Sequence, residues 1–168
     1  MNMNIVLIGM PGCGKSTLGS FLSRRLNLRF IDLDEYIENK QEKTIKEIFN
    51  NGEEYFRDIE TDVVKEVSIF NSTIISTGGG VVKRYENILQ LKKNSIIIFI
   101  NRPIEEILKD IDCESRPLLK KGKEKLYRLY EERLPLYKKY CDVEILNDKH
   151  IDLVLGDIIK LLKRKEII

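Results

Sequence analysis

The stretch NIVLIGMPGCGKSTLGSFLSRRL, residues 4–26, decides the fold. It opens on an apolar, β-branched run from Asn4 to Ile8 and breaks at a cluster of glycines. From Lys15 it turns amphipathic: Leu18, Phe21, Leu22 and Leu26 fall on one face of a helix. The turn between them, GMPGCGKST (9–17), fits G-x-x-x-x-G-K-[S/T] at Gly9, Gly14, Lys15 and Ser16, in the strand-to-helix context that gives the pattern its meaning. Gly12 and Gly14 let backbone N–H groups turn inward around phosphate oxygens. The helix N-terminus behind them adds about half a positive charge. Gly12, Cys13, Gly14, Lys15, Ser16 and Thr17 are therefore candidate contacts to a nucleoside triphosphate. Lys15 would reach the terminal phosphates and Ser16 would hold Mg²⁺. The plainer alternative, a glycine-rich turn that only caps a helix, does not need this spacing.

Outward from that stretch the same alternation continues. RFIDLD (29–34), TIIST (73–77), SIIIFI (95–100) and CDVEIL (141–146) read as strands, and SIIIFI is apolar almost throughout. A strand buried on both faces requires that. Helical patterns lie between them, through TIKEIFNNGEEYFRDIETDVVKEVSIF (44–70) and in a closing IDLVLGDIIKLLKRK (151–165). Strands separated by helices predict an α/β fold with a parallel sheet covered on both sides. The 168 residues suit one domain, 1–168. IDCESRPLLKKGKEK (111–125), charged and interrupted by Pro117 and Gly122, is expected to be a mobile loop.

Composition narrows the class. The chain is 42% hydrophobic and 33% charged, so it can build a core and stay soluble. Lys+Arg is 29 against Asp+Glu 27, which argues against a dedicated nucleic-acid binder. No apolar run reaches the length of a membrane span, and the start lacks a basic leader, so no membrane or secretory role is expected. Cys13, Cys113, Cys141 and the single His150 form neither a zinc site nor a disulfide framework. A reduced, cytoplasmic protein is expected, with a monomer as the default. His150 is expected at a surface or a helix start.

The phosphate acceptor must be read elsewhere. Asp32 and Asp34 stand two apart at the carboxyl end of the second strand, where ligands of open α/β sheets bind. If the extended conformation persists, their side chains point the same way. One would serve the metal environment and one a hydroxyl; the competing reading is a helix N-cap. Arg57 and Glu60, three apart, would alone be a surface ion pair, and Arg116 and Arg133 are ordinary taken singly. Three glycines, Gly78 to Gly80, follow the third strand, where each costs backbone entropy. Either the chain turns sharply there or something must touch the backbone.

Taken in order, GMPGCGKST, FIDLDEYIE, NGEEYFRDIE, STGGG, RPLL and ERLPLY resemble the shikimate kinase family from Gly9 to about Tyr137. The resemblance implies a P-loop kinase fold: a five-stranded parallel sheet, order 2-3-1-4-5, with helices on both faces. It implies MgATP-dependent phosphorylation of the 3-hydroxyl of shikimate. It assigns Asp34 to the acceptor hydroxyls and as the base, and Asp32 with Ser16 to Mg²⁺. It gives Arg57 and Arg133 to the shikimate carboxylate, Glu60 to orienting Arg57, and Arg116 to a phosphate-covering lid at about 111–125. Gly79 would give its N–H to shikimate, with a Cβ there filling ligand space. The acceptor region would span about 34–60. Two departures concern adenine. Lys109 stands where an arginine often stacks, and ILNDKHIDL (145–153) lacks the usual proline. Cys13 is a small-residue position, and packing is its expected role. Another small-molecule P-loop kinase, such as a gluconate kinase or a nucleoside monophosphate kinase, is the alternative.

Overall fold

The computed structural model describes residues 3–110 and 119–168. Five parallel strands form one sheet in the order β2-β3-β1-β4-β5: β1 (Asn4–Ile8), β2 (Arg29–Asp32), β3 (Thr73–Ser76), β4 (Ser95–Asn101) and β5 (Val143–Leu146). The order is the one the family resemblance implies. β1 lies at the centre, with Ile5 opposite Ile74 on one side and Ile96 on the other. Every residue of β1, and β4 from Ser95 to Ile100, is buried. Full burial of each such aliphatic side chain stabilises by about 1.5–3 kcal/mol, which explains the unbroken apolar runs.

The helices are α1 (Lys15–Leu26), α2 (Leu33–Gln41), α3 (Ile45–Phe49), α4 (Glu53–Ser68), α5 (Tyr85–Lys92), α6 (Ile104–Asp110), α7 (Leu119–Tyr140) and α8 (Ile151–Arg164), with a short 3₁₀ turn at Val81–Lys83. β1 and α1 have the bounds their patterns predict, with one correction to the buried face. Phe21 is 44% exposed, while Leu18 and Leu22 of the expected face are buried together with Gly19 and Ser23. The reason is close packing at Gly19, where a Cβ would lie 2.5 Å from the Phe30 ring. α8 buries Val154, Leu155, Ile158, Leu161 and Leu162 in helical spacing, and His150 caps it as expected.

Two further expectations change. The second strand ends at Asp32, so Asp34 belongs to the first turn of α2 and the pair is not an extended dipeptide. From Leu119 onward the chain is helical, so the loop expected over 111–125 does not hold for 119–125. Lys, Glu and Leu are good helix formers and carry the helix through Gly122. Arg116, Cys113 and the remaining 111–118 lie outside the described residues. Among the described residues, no helix is long and apolar enough to cross a membrane.

Candidate active site

The loop between β1 and α1 lies at the carboxyl end of the sheet. Gly14 is the N-cap of α1 with φ 95°, a left-handed conformation that strains other residues. A Cβ there would also lie 2.9 Å from Asn147 Nδ2, which donates to Cys13 O at 2.8 Å. Lys15 is 7% exposed, and its Nζ donates to Gly9 O at 3.0 Å and Met10 O at 2.9 Å. Cys13 is fully buried beside it and packs in the core, as expected of a small-residue position.

Ser16 Oγ donates to Asp32 Oδ2 and sits 3.2 Å from Ser76 Oγ. Asp32 Oδ1 accepts from the backbone N–H of Asp34 at 3.0 Å and of Glu35 at 3.4 Å, so Asp32 is also the helix N-cap. One oxygen thus caps α2, as the N-cap reading has it, and the other accepts from Ser16. Hydroxyl and carboxylate oxygens side by side suit Mg²⁺, a hard cation that keeps several waters and needs few protein ligands. Among the described residues, no group of three or more His, Cys, Asp or Glu could chelate a metal by itself.

A cavity of about 360 Å³ is lined by Asp34, Phe49, Arg57, Glu60, Gly79 and Arg133, among others. Arg57 is 6% exposed, Glu60 0% and Arg133 7%. Arg57 Nη1 donates to Glu60 Oε2 at 2.7 Å, and Nη2 reaches Glu53 Oε1 at 3.3 Å. The pair is thus no surface ion pair. Taking such charges out of water costs several kcal/mol each, so a buried pair is weak evidence for stability. Glu60 Oε1 and Arg133 Nε have no hydrogen-bond partner among the described residues, though both belong to residues lining the cavity. Burial raises the pKa of Glu60, and burial followed by the Asp32 charge raises that of Asp34. Lys15 and Arg57 oppose the rise at Asp34.

The triple glycine is explained by its neighbours. None of the three has a positive φ. A Cβ on Gly78 would lie 2.9 Å from Asp34 Oδ1, and one on Gly80 would lie 2.1 Å from Arg57 Nη2. A Cβ on Gly79 would lie 2.7 Å from Pro11, which lines the same cavity. Gly79 lines that cavity too, and its carbonyl accepts from the Tyr137 hydroxyl. The glycines let acidic and basic side chains lie flat against the backbone. Gly80→Ala is therefore expected to displace the Arg57 guanidinium and raise the acceptor KM by roughly tenfold, the worth of about one charged hydrogen bond. ATP KM should stay near the parent value, and steady-state kinetics with each substrate varied in turn checks this.

Two residues that motif reading missed line the cavities beside the phosphate loop. Gly14, Thr17, Leu18, Arg102, Asn147 and Ile151 are among those lining a cavity of about 320 Å³. A second, of about 300 Å³, is lined by the phosphate loop with Arg102 and Asp110. Arg102 follows β4 and Asn147 follows β5, at the strand ends where ligands gather. That position was the available signal. Lys109 pairs with Glu106 and lines neither cavity.

The family model for shikimate kinase matches residues 11–163. A shikimate kinase of Clostridium botulinum (strain Alaska E43 / Type E3) is 51% identical, over 96% of this chain and 98% of the relative. One of Clostridium beijerinckii is 53% identical over 94% of each. Among solved structures, shikimate kinase from Acinetobacter baumannii in complex with shikimate is similar with a TM-score of 0.89 and 33% identity, covering 98% of this chain and 96% of that one. The Aquifex aeolicus shikimate kinase structure gives 0.85 and 38%, covering 98% of both.

Proposed function

The chain belongs to the shikimate kinase family, and on that premise we propose how its residues move the terminal phosphoryl group of ATP onto the 3-hydroxyl of shikimate, on the route to chorismate and the aromatic amino acids. The observation that carries the acceptor reading is the burial of Arg57, Glu60 and Arg133 around one cavity, with polar atoms left unpartnered there. A planar carboxylate suits two guanidinium groups, each able to present paired donors. Glu60 fixes Arg57 by its 2.7 Å bond. Asp34, on the same cavity, holds the acceptor hydroxyl and takes its proton. Relatives and family match give no support to a gluconate or nucleoside monophosphate acceptor.

The phosphate loop from Gly12 to Thr17 would hold the nucleotide, with Lys15 turning from its two loop carbonyls toward the transferring group. Ser16 and Asp32 would hold Mg²⁺, which when bound offsets phosphate charge. The chain acts as one catalytic unit, 1–168, with the acceptor gripped from about 34–60. A role for Arg116 rests on the family resemblance, because that residue lies outside the described ones. The free, reduced thiols Cys13 and Cys141 fit action in the cytoplasm.

Arg133→Met tests the acceptor reading. Hydrogen bonds to charged groups contribute about 1.5–3 kcal/mol each, so shikimate affinity should fall roughly ten- to a hundredfold. The ATP dissociation constant should stay near the parent value. Calorimetric titration of each ligand decides it. Unchanged shikimate affinity, or an equal loss for ATP, would remove the carboxylate clamp.

A further inference from the structure

The family resemblance leaves a gap on the adenine side, where Lys109 replaces a stacking arginine, and the structure shows a different arginine nearby. We infer that Arg102 is the residue that packs against the nucleotide base in this chain; the assignment rests on the kinase reading above and extends it.

Arg102 is shared by the two nucleotide-side cavities, one floored by the phosphate loop and the other flanked by Asn147 and Ile151. It therefore borders both the phosphate cradle and the neighbouring recess. Its Nη1 donates to Gly12 O at 3.1 Å and to Asp110 Oδ2 at 2.6 Å, which ties the side chain to the loop. Asp110 is 64% exposed, and an ion pair that open contributes little to stability. The ion pair thus gives no sufficient reason for a guanidinium here, and the bond to Gly12 O uses one nitrogen of it. Leu18 and Ile151 supply apolar surface to the recess, and Asn147, held on Cys13 O, lines it beside Arg102. Glu106, Asp148 and Lys149 complete the lining, and a recess that combines apolar side chains with a flat, weakly hydrated cation suits a planar aromatic ring. Lys109 is engaged with Glu106 and is 69% exposed. A lysine would in any case offer a point charge and no plane.

The test separates base from phosphate. MgATP and magnesium tripolyphosphate are titrated calorimetrically into the parent, Arg102→Gln, Arg102→Lys and Lys109→Gln proteins, with circular dichroism confirming the fold. Arg102→Gln is expected to weaken ATP about three- to thirtyfold, the range for a cation on an aromatic face. Tripolyphosphate binding should fall much less than ATP binding, because only the loop contact at Gly12 O is lost to both ligands. Arg102→Lys should recover little of the loss, and Lys109→Gln should match the parent. If Arg102→Gln binds ATP as the parent does, or if ATP and tripolyphosphate weaken equally, the assignment to the base is wrong. A parent protein that bound no ATP would instead sink the kinase reading beneath it.

Discussion

Asp34→Asn is expected to lower turnover by about 10²- to 10⁴-fold, the span that a positioned general base contributes. The substitution keeps the shape of the side chain and the backbone bond from Asp34 N–H to Asp32 Oδ1, and removes only the charge and the proton-accepting oxygen. The pH profile identifies the cause. Burial and the Asp32 charge hold the Asp34 pKa above its ordinary value, while Lys15 and Arg57 pull against them. The base must be ionised, so parent turnover should fall as pH drops through that raised pKa. This acid limb should lie above the usual carboxylate range and be absent from Asp34→Asn. Stability should move the other way. A carboxyl that binds its proton more tightly in the folded chain favours folding fully below its unfolded pKa, and that contribution is lost as pH rises through the folded value. At neutral pH the ionised Asp34 is therefore a cost, and the variant should melt no lower than the parent. A large fall in Tm, or a turnover loss below tenfold with the limb intact, would remove Asp34 from the role of base.

What was legible in the sequence follows the range of each interaction. β1, the phosphate loop and α1 are contiguous, and local pattern plus full burial give both their bounds and their chemistry. The strand order rests on the family resemblance, because alternation of strands and helices gives a parallel sheet without its order. Asp32 and Asp34 were found as a pair but placed wrongly, since the Asp32 side chain draws two N–H groups and starts α2 early. Arg57 and Glu60 look like a surface pair at their spacing, and only the packing of α4 over the glycines buries them. Arg102 and Asn147 carry only the signal of a strand end, and their bonds to the phosphate loop span 90 and 134 residues. The strand end marks where a ligand gathers, and no local pattern tells which residue there meets the loop.

Lys15→Ala should reduce turnover by about 10²- to 10³-fold, because a fixed charge aimed at a developing anion contributes about 3–4 kcal/mol to the transition state. The ammonium is buried, and its bonds are to the carbonyls of Gly9 and Met10. Those carbonyls belong to a loop held independently by Asn147 on Cys13 O and Arg102 on Gly12 O. The loop should accordingly keep its shape in the variant, with an unchanged circular dichroism spectrum. ATP affinity should fall less than turnover, since only an interaction stronger in the transition state than in the ground state accelerates the step. Lys15 is also one of the charges that lowers the Asp34 pKa. Its removal should therefore shift the acid limb of the residual activity further upward, a coupling that a purely structural lysine near the nucleotide alone would not produce. Initial rates across pH, at saturating ATP and shikimate, measure both effects at once. Near-parent turnover would show that phosphoryl transfer does not use this charge. A large loss with an unmoved limb would separate Lys15 from Asp34, and the two cavities would then work as electrostatically independent sites.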